Sequence, residues 1–199
     1  MLSVGLTGNI GSGKTAVSNL FRQWGAVVID ADELAREVQA RGSPVLEAIT
    51  RRFGADVLDA NGGLDRARLR DVVFDDPAAL ADLNALVHPA VQSRRDTLLG
   101  AARAGGERIV VSDIPLLFEA VDPGEFDRIV LVDAPPAVRR DRLMRRRGLD
   151  AGTADRMIAA QAPAGPKRAR SHFIIENDGS FEQLEQRADE VWRALSALA

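Results

Sequence analysis

Gly8, Gly13, Lys14 and Thr15 stand in the spacing G-x-x-x-x-G-K-[ST] within "GLTGNIGSGKT" (Gly5 to Thr15), between an apolar run and a helical pattern. Few short sequences restrict a fold so strongly, because the loop works only where a strand hands over to a helix. Its glycines let successive backbone N–H groups turn inward around an anion, and the next helix offers its positive N-terminus. A lysine then reaches that anion as a flexible point charge, which arginine's planar fork does not imitate. The chain has two lysines, Lys14 and Lys167, against twenty-four arginines, so lysine at this position is chemically selective.

A second glycine pattern overlaps the first. Gly11, Gly13 and Ala16 satisfy G-x-G-x-x-G/A, with Asp30 and Asp32 near the distance of a ribose-binding acid. That dinucleotide reading leaves Gly8, Lys14 and Thr15 unexplained, whereas a phosphate loop requires all three. The expected phosphate-binding residues are therefore Gly8, Asn9, Ile10, Gly11, Ser12, Gly13, Lys14 and Thr15, with the Thr15 hydroxyl as a ligand for Mg²⁺.

Five apolar runs have strand length: Leu2 to Thr7, Ala26 to Asp30, Arg108 to Asp113, Arg128 to Asp133 and His172 to Asn177. Their near-continuous apolarity suits strands covered on both faces, and helical patterns lie between them. The alternation predicts an α/β fold with a doubly wound five-stranded parallel sheet of the phosphate-loop type, closed by a helix over Phe181 to Leu198. The long interval between the second and third runs reads as a helical insertion. In it, Ser43-Pro44 is a helix start, "NGG" (Asn61 to Gly63) a turn, and His88-Pro89 a break or kink. The expected division is a nucleotide core of residues 1–34, 100–138 and 171–199, a helical insertion of 35–99 with room for a second ligand site, and a lid of 139–170.

Ligands of open α/β sheets bind beyond the carboxyl ends of strands. Asp113 ends the third run, the expected neighbour of the first, and is the candidate metal-assisting carboxylate; Asp133 is a weaker one. "DAD" (Asp30 to Asp32) follows the second run. It reads either as a helix cap or as the source of a base for a hydroxyl acceptor. Six arginines crowd Arg139 to Arg147, and Arg139, Arg142 and Arg146 fall on one helical face that could bring guanidinium groups onto transferring phosphates.

Composition excludes other classes. Cysteine is absent and the two histidines, His88 and His172, have no metal-ligand spacing, so no zinc site is expected. A net charge of −3, no tyrosine and 5% aromatic residues give no basis for nucleic-acid binding. No run has the roughly 20 apolar residues that span a bilayer. No secretory signal is expected, and a cytoplasmic location is.

Taken in order, "GLTGNIGSGKT", "VIDAD" (Val28 to Asp32), His88-Pro89, "DIPLLFE" (Asp113 to Glu119), "RLMRRRGL" (Arg142 to Leu149), Gln161 and "IIENDGS" (Ile174 to Ser180) resemble the dephospho-CoA kinases, essentially end to end. The resemblance implies transfer of the ATP γ-phosphate to the ribose 3′-hydroxyl of dephospho-CoA, with ATP and Mg²⁺ as cofactors; the alternative is another small-metabolite or nucleoside-monophosphate kinase. By position it makes Asp32 the base and a substrate contact, and gives Lys14, Arg142 and Arg146 catalytic parts. It adds Asn177 to the nucleotide site, makes the 35–99 insertion the acceptor-binding part, and places His88, Pro115, Leu116, Leu117 and Glu119 at the acceptor site. Asn9 stands where the family has glycine, which implies an unusual backbone angle, and Ser171-His172 replaces the usual "AD".

Overall fold

The computed structural model describes residues 1–199, the side chain of Ala120 excepted. Five strands, β1 (Leu2–Gly8), β2 (Val27–Asp30), β3 (Ile109–Asp113), β4 (Arg128–Asp133) and β5 (Phe173–Glu176), form one parallel sheet in the order β2-β3-β1-β4-β5. The first strand is thus central. Leu6 is in register with Asp113 on β3 and with Val130 on β4, so the chain leaves β1 at the carboxyl edge where the sheet reverses direction of winding.

The helices are α1 (Lys14–Gln23), α2 (Ala31–Val38), α3 (Pro44–Phe53), α4 (Arg66–Phe74), α5 (Pro77–Ala104), α6 (Leu117–Ala120), α7 (Pro136–Arg147), α8 (Ala151–Ala159), α9 (Ala164–Ala169) and α10 (Phe181–Leu198). The chain divides into two compact units, one of Met1–Ile29 with Ala102–Ala199 and one of Asp30–Ala101.

In the first unit, the alternate β1 residues Leu2, Val4 and Leu6 face Val17, Leu20 and Phe21 of α1 and Leu184, Ala188, Val191 and Leu195 of α10. These α10 residues recur at helical spacing, and a Ser180/Gln183 capping box fixes where that helix begins. On the other face Gly5 leaves room for Leu117 and Phe126: a methyl group at Gly5 would come within 2.5 Å of Leu117 Cδ1.

In the second unit, Ile49, Val57, Leu69, Val73, Ala79 and Val87 form a separate small core. Ser43 caps α3 with Pro44 behind it, as the sequence predicts. The Asn61–Gly63 turn is held by Asp59 Oδ1, which accepts from Asn61 N at 2.8 Å and Gly63 N at 2.9 Å. His88-Pro89 does not end a helix. Pro89 lies inside α5, a 28-residue helix long enough to tolerate the one backbone hydrogen bond that proline removes. No helix among the described residues is long and apolar enough to cross a membrane.

Candidate active site

The loop from Gly8 to α1 folds as an anion cradle, and its local geometry explains the glycines. Gly11 and Gly13 take the left-handed φ values of 76° and 94°. A side chain at Gly13 would also clash with Asn177 Nδ2, so that position admits only glycine. Asn9 is different from what its place in the motif suggests. Among the described residues only glycines have positive φ, so the turn is made by its glycine neighbours and Asn9 keeps ordinary backbone geometry. The Asn9 side chain is buried, donating from Nδ2 to Ala162 O at 3.2 Å while Oδ1 has no partner among the described residues.

The N–H groups of Gly11, Gly13, Lys14 and Thr15 have no acceptor among the described residues. Such orphan donors at the start of a helix are a site for oxyanions. Lys14 Nζ forms an ion pair with Asp113, whose carboxylate is 2% exposed at the end of β3. Thr15 is exposed in the first turn of α1, with its hydroxyl beside this cradle in sequence.

The outer side of the loop is held by residues far along the chain. Asn177, just past β5, donates Nδ2 to Ser12 O at 2.7 Å, and its Oδ1 accepts from Arg142 Nη2 at 2.8 Å. Arg142 Nη1 reaches the carbonyls of Gly11 and Ser12, each at 3.3 Å. Burial, and then the positive charge of Arg146, lower the pKa of this guanidinium below the usual arginine value. Gln161 Oε1 accepts from Ile10 N at 2.7 Å.

A family description of dephospho-CoA kinase matches residues 2–183 of a chain with this cradle. The chain belongs to the dephospho-CoA kinase family. As a member it is a kinase. Among curated relatives, the dephospho-CoA kinase of Streptomyces avermitilis is 47% identical over 195 residues, covering 98% of this chain and 94% of its own. That of Thermobifida fusca is 45% identical over 195 residues, with 98% and 96% covered. A crystal structure from Thermus thermophilus is 38% identical with a TM-score of 0.84, covering 100% of this chain and 98% of its own. The dephospho-CoA kinase of Campylobacter jejuni, 23% identical with a TM-score of 0.74 and coverage of 98% and 97%, shares the fold.

For this dephospho-CoA kinase family member the remaining site residues fall into three environments. Beside the sheet, Pro115 O accepts from Thr7 Oγ1 at 3.1 Å, Leu116 is half exposed, and Leu117 is fully buried against Gly5. Glu119 Oε1 lies 2.8 Å from the buried Lys167 Nζ, an ion-pair distance without hydrogen-bond alignment. Asp133 does not cap α7, whose N-cap is Pro135; its Oδ1 accepts from Ala134 N and its Oδ2 from Arg168 Nη1 at 2.7 Å. Hydrogen bonds to Glu176 first and then to Asp133 raise the Arg168 pKa.

The arginines of α7 share a helix but not an exposure. Arg139 is buried, and burial lowers its pKa against the opposing pull of Asp133; its Nε and Nη1 have no partner among the described residues. Arg142 is half-buried against the loop, and Arg146 is exposed.

In the Asp30–Ala101 unit, Asp30 is the N-cap of α2, accepting from Asp32 N at 2.8 Å and Glu33 N at 3.0 Å. The cap reading and the base reading of "DAD" therefore separate onto two residues. The Asp32 carboxylate is exposed and accepts no hydrogen bond among the described residues. His88 is exposed on α5. Among the described residues no group of three or more carboxylates and histidines gathers as a metal site. Gln161, which the sequence singles out only as part of the resemblance and without a role, supports the loop together with Ala162; a lone glutamine between two helices carries no periodic signal by which spacing alone would find such a role.

Proposed function

We propose that this chain transfers the γ-phosphate of ATP to the ribose 3′-hydroxyl of dephospho-CoA, giving coenzyme A and ADP. The observation that carries the reading is the set of N–H groups of Gly11, Gly13, Lys14 and Thr15 that have no acceptor among the described residues, in a chain of this family. Phosphoryl transfer asks mainly for positioning and charge stabilisation, which a rigid donor cradle supplies.

In this reading Gly8, Asn9, Ile10, Gly11, Ser12, Gly13 and Thr15 enclose the ATP phosphates, and Lys14 leaves Asp113 to meet the β- and γ-oxygens. Mg²⁺ suits the donors offered, the Thr15 hydroxyl and the Asp113 carboxylate, because both are hard oxygens and phosphate and water complete its shell. When bound it neutralises charge on the phosphates. Asp32 takes the proton of the 3′-hydroxyl as that oxygen bonds to the γ-phosphorus, and the bond to the β,γ-bridging oxygen breaks. Supporting this role, Asp30 serves the helix cap and leaves the Asp32 carboxylate unengaged. Arg146, exposed on α7, is the lid cation for the transferring group, while Arg142 and Asn177 keep the loop in shape. His88, Pro115, Leu116, Leu117 and Glu119 belong to the acceptor side.

The corresponding division assigns residues 1–34, 100–138 and 171–199 to nucleotide binding, 35–99 to the acceptor and 139–170 to the lid. The reading includes a cytoplasmic location, a small-molecule substrate and no nucleic-acid partner. An acceptor panel with ATP and Mg²⁺ tests it, comparing dephospho-CoA, nucleoside monophosphates and shikimate. Dephospho-CoA is expected to be preferred by about a hundredfold or more in kcat/KM. Preference for a nucleoside monophosphate or shikimate would replace this reading with the other kinase one.

A further inference from the structure

Two N–H groups near the loop apex are already engaged: Ser12 N within the loop, to Asn9 O at 3.0 Å, and Ile10 N outside it, to Gln161 Oε1 at 2.7 Å. Beside Ile10, Asn9 Nδ2 donates to Ala162 O at 3.2 Å. Two consecutive loop residues are thus tied to two consecutive residues some 150 positions later, on the linker between α8 and α9.

That linker is anchored at both ends. Upstream, α8 joins α7 through the Arg140–Asp155 ion pair of 2.9 Å. Downstream, Arg168 of α9 bonds Asp133 at the end of β4 and Glu176 at the end of β5, at 2.7 and 2.5 Å. Lys167 meets Glu119 at 2.8 Å, and Arg170 lies 4.7 Å over the Phe118 ring. The linker therefore refers the loop apex to the sheet by a route that does not pass through β1 or α1. A backbone loop held only at its two ends loses entropy when phosphate orders it, and an outside support removes part of that loss in advance.

We propose that Gln161 is a positioning residue for the phosphate loop, setting its apex before nucleotide arrives, with the Asn9–Ala162 bond as a second strut. The proposal rests on the kinase reading above for its consequence in ATP binding. Gln161 touches neither acceptor nor metal in this role. Its acceptor oxygen is the working atom, so removing only that atom is the informative change.

The test uses the whole chain and two readouts that need no acceptor substrate: hydrogen exchange at the Ile10 amide, and calorimetric binding of ATP with Mg²⁺. Gln161→Met keeps the side-chain length without the oxygen. It is expected to speed Ile10 exchange and weaken ATP binding, each about tenfold, as for a partly buried donor left without its partner. Gln161→Glu keeps an acceptor oxygen and is expected to retain Ile10 protection. Asn9→Gly, which removes the second strut alone, is expected to change both by about two- to fivefold. Ile10 exchange and ATP affinity within twofold of the unaltered chain in Gln161→Met would overturn the proposal. So would equal loss of protection in Gln161→Glu, or a lowered melting temperature with Ile10 protection intact. An unaltered chain that binds no ATP contradicts the kinase reading instead, and the exchange rates alone then decide whether the strut exists.

Discussion

Lys14 and Asp113 neutralise one another at the carboxyl edge of the sheet, where β1 hands over to α1 and β3 ends beside it. The pair has low exposure, 14% for the lysine side chain and 2% for the aspartate. In the proposed reaction an incoming nucleotide competes for the ammonium, and the Asp113 carboxylate then becomes the proposed oxygen donor for a cation. Lys14→Ala is expected to abolish transfer in a coupled ADP-release assay. It should also cost up to about 3 kcal/mol of stability, at the low end for a buried pair because Asp113 keeps other interactions. Urea unfolding checks the second part. Most of the activity surviving in that variant would remove Lys14 from the mechanism.

Asp30 and Asp32 should respond in opposite ways. Asp32→Asn is expected to fold with stability unchanged within about 0.5 kcal/mol, since the carboxylate is exposed and unengaged, yet to lose about 10²–10⁴ in kcat. Asp30→Ala should cost about 1 kcal/mol through the lost α2 cap. Near-normal turnover in Asp32→Asn would take the base role away from it.

The contact between Gly13 and Asn177 gives a mutational cycle. Gly13→Ala drives a methyl into Asn177 Nδ2 at a φ of 94°, and should destabilise the chain by about 2–4 kcal/mol. Combined with Asn177→Gly, the steric part should be relieved and about 1–2 kcal/mol of backbone strain remain. Strict additivity of the two changes in thermal unfolding would mean that the close approach is not what excludes a side chain there.

Part of the acid sensitivity should be traceable to Asp178 and Asp150, two of the three surface carboxylates whose pKa the fold lowers. The hydrogen bond and ion pair with Arg187 hold Asp178 below the usual carboxylate pKa, and hydrogen bonds from Thr153 do the same for Asp150. A depressed folded-state pKa contributes stability that is complete above the unfolded value, about 3.9, and disappears as pH falls through the folded one. Asp178→Asn and Asp150→Asn should therefore flatten the fall in urea midpoint below about pH 4 and leave its slope near neutrality unchanged. A slope below pH 4 identical to that of the unaltered chain would show that these carboxylates do not govern it.

What the sequence reveals and what it hides divide along the distance between partners. The five strands are legible because each is a short apolar run between helical patterns, and all five lie within one or two residues of their expected bounds. The phosphate loop is legible because its demands are local. The unusual angle expected at Asn9 fails for a reason spacing does not encode: Gly11 and Gly13 absorb the turn, while the Asn9 side chain is engaged with Ala162. The common face assigned to Arg139, Arg142 and Arg146 follows from helical geometry, but their differing burial is set by the loop and strand ends packed against α7. His172, a departure with no evident purpose in the sequence, continues the β4–β5 ladder. Its backbone N donates to Ile129 O at 2.9 Å and its Nδ1 accepts from Ile129 N at 3.0 Å.

The aromatic packing of α1 against α10 has an optical consequence. Phe21, Trp24 and Trp192 stand within 5.6 to 6.2 Å of one another by ring centroid, and the chain has no third tryptophan and no tyrosine. All ultraviolet emission from indole thus originates in the Met1–Ile29 and Ala102–Ala199 unit, at the far end of the helix that begins with Lys14. Intrinsic fluorescence will follow the melting of that unit and remain silent about the other. A fluorescence transition that precedes or trails the loss of helical circular dichroism would separate the two units without any label.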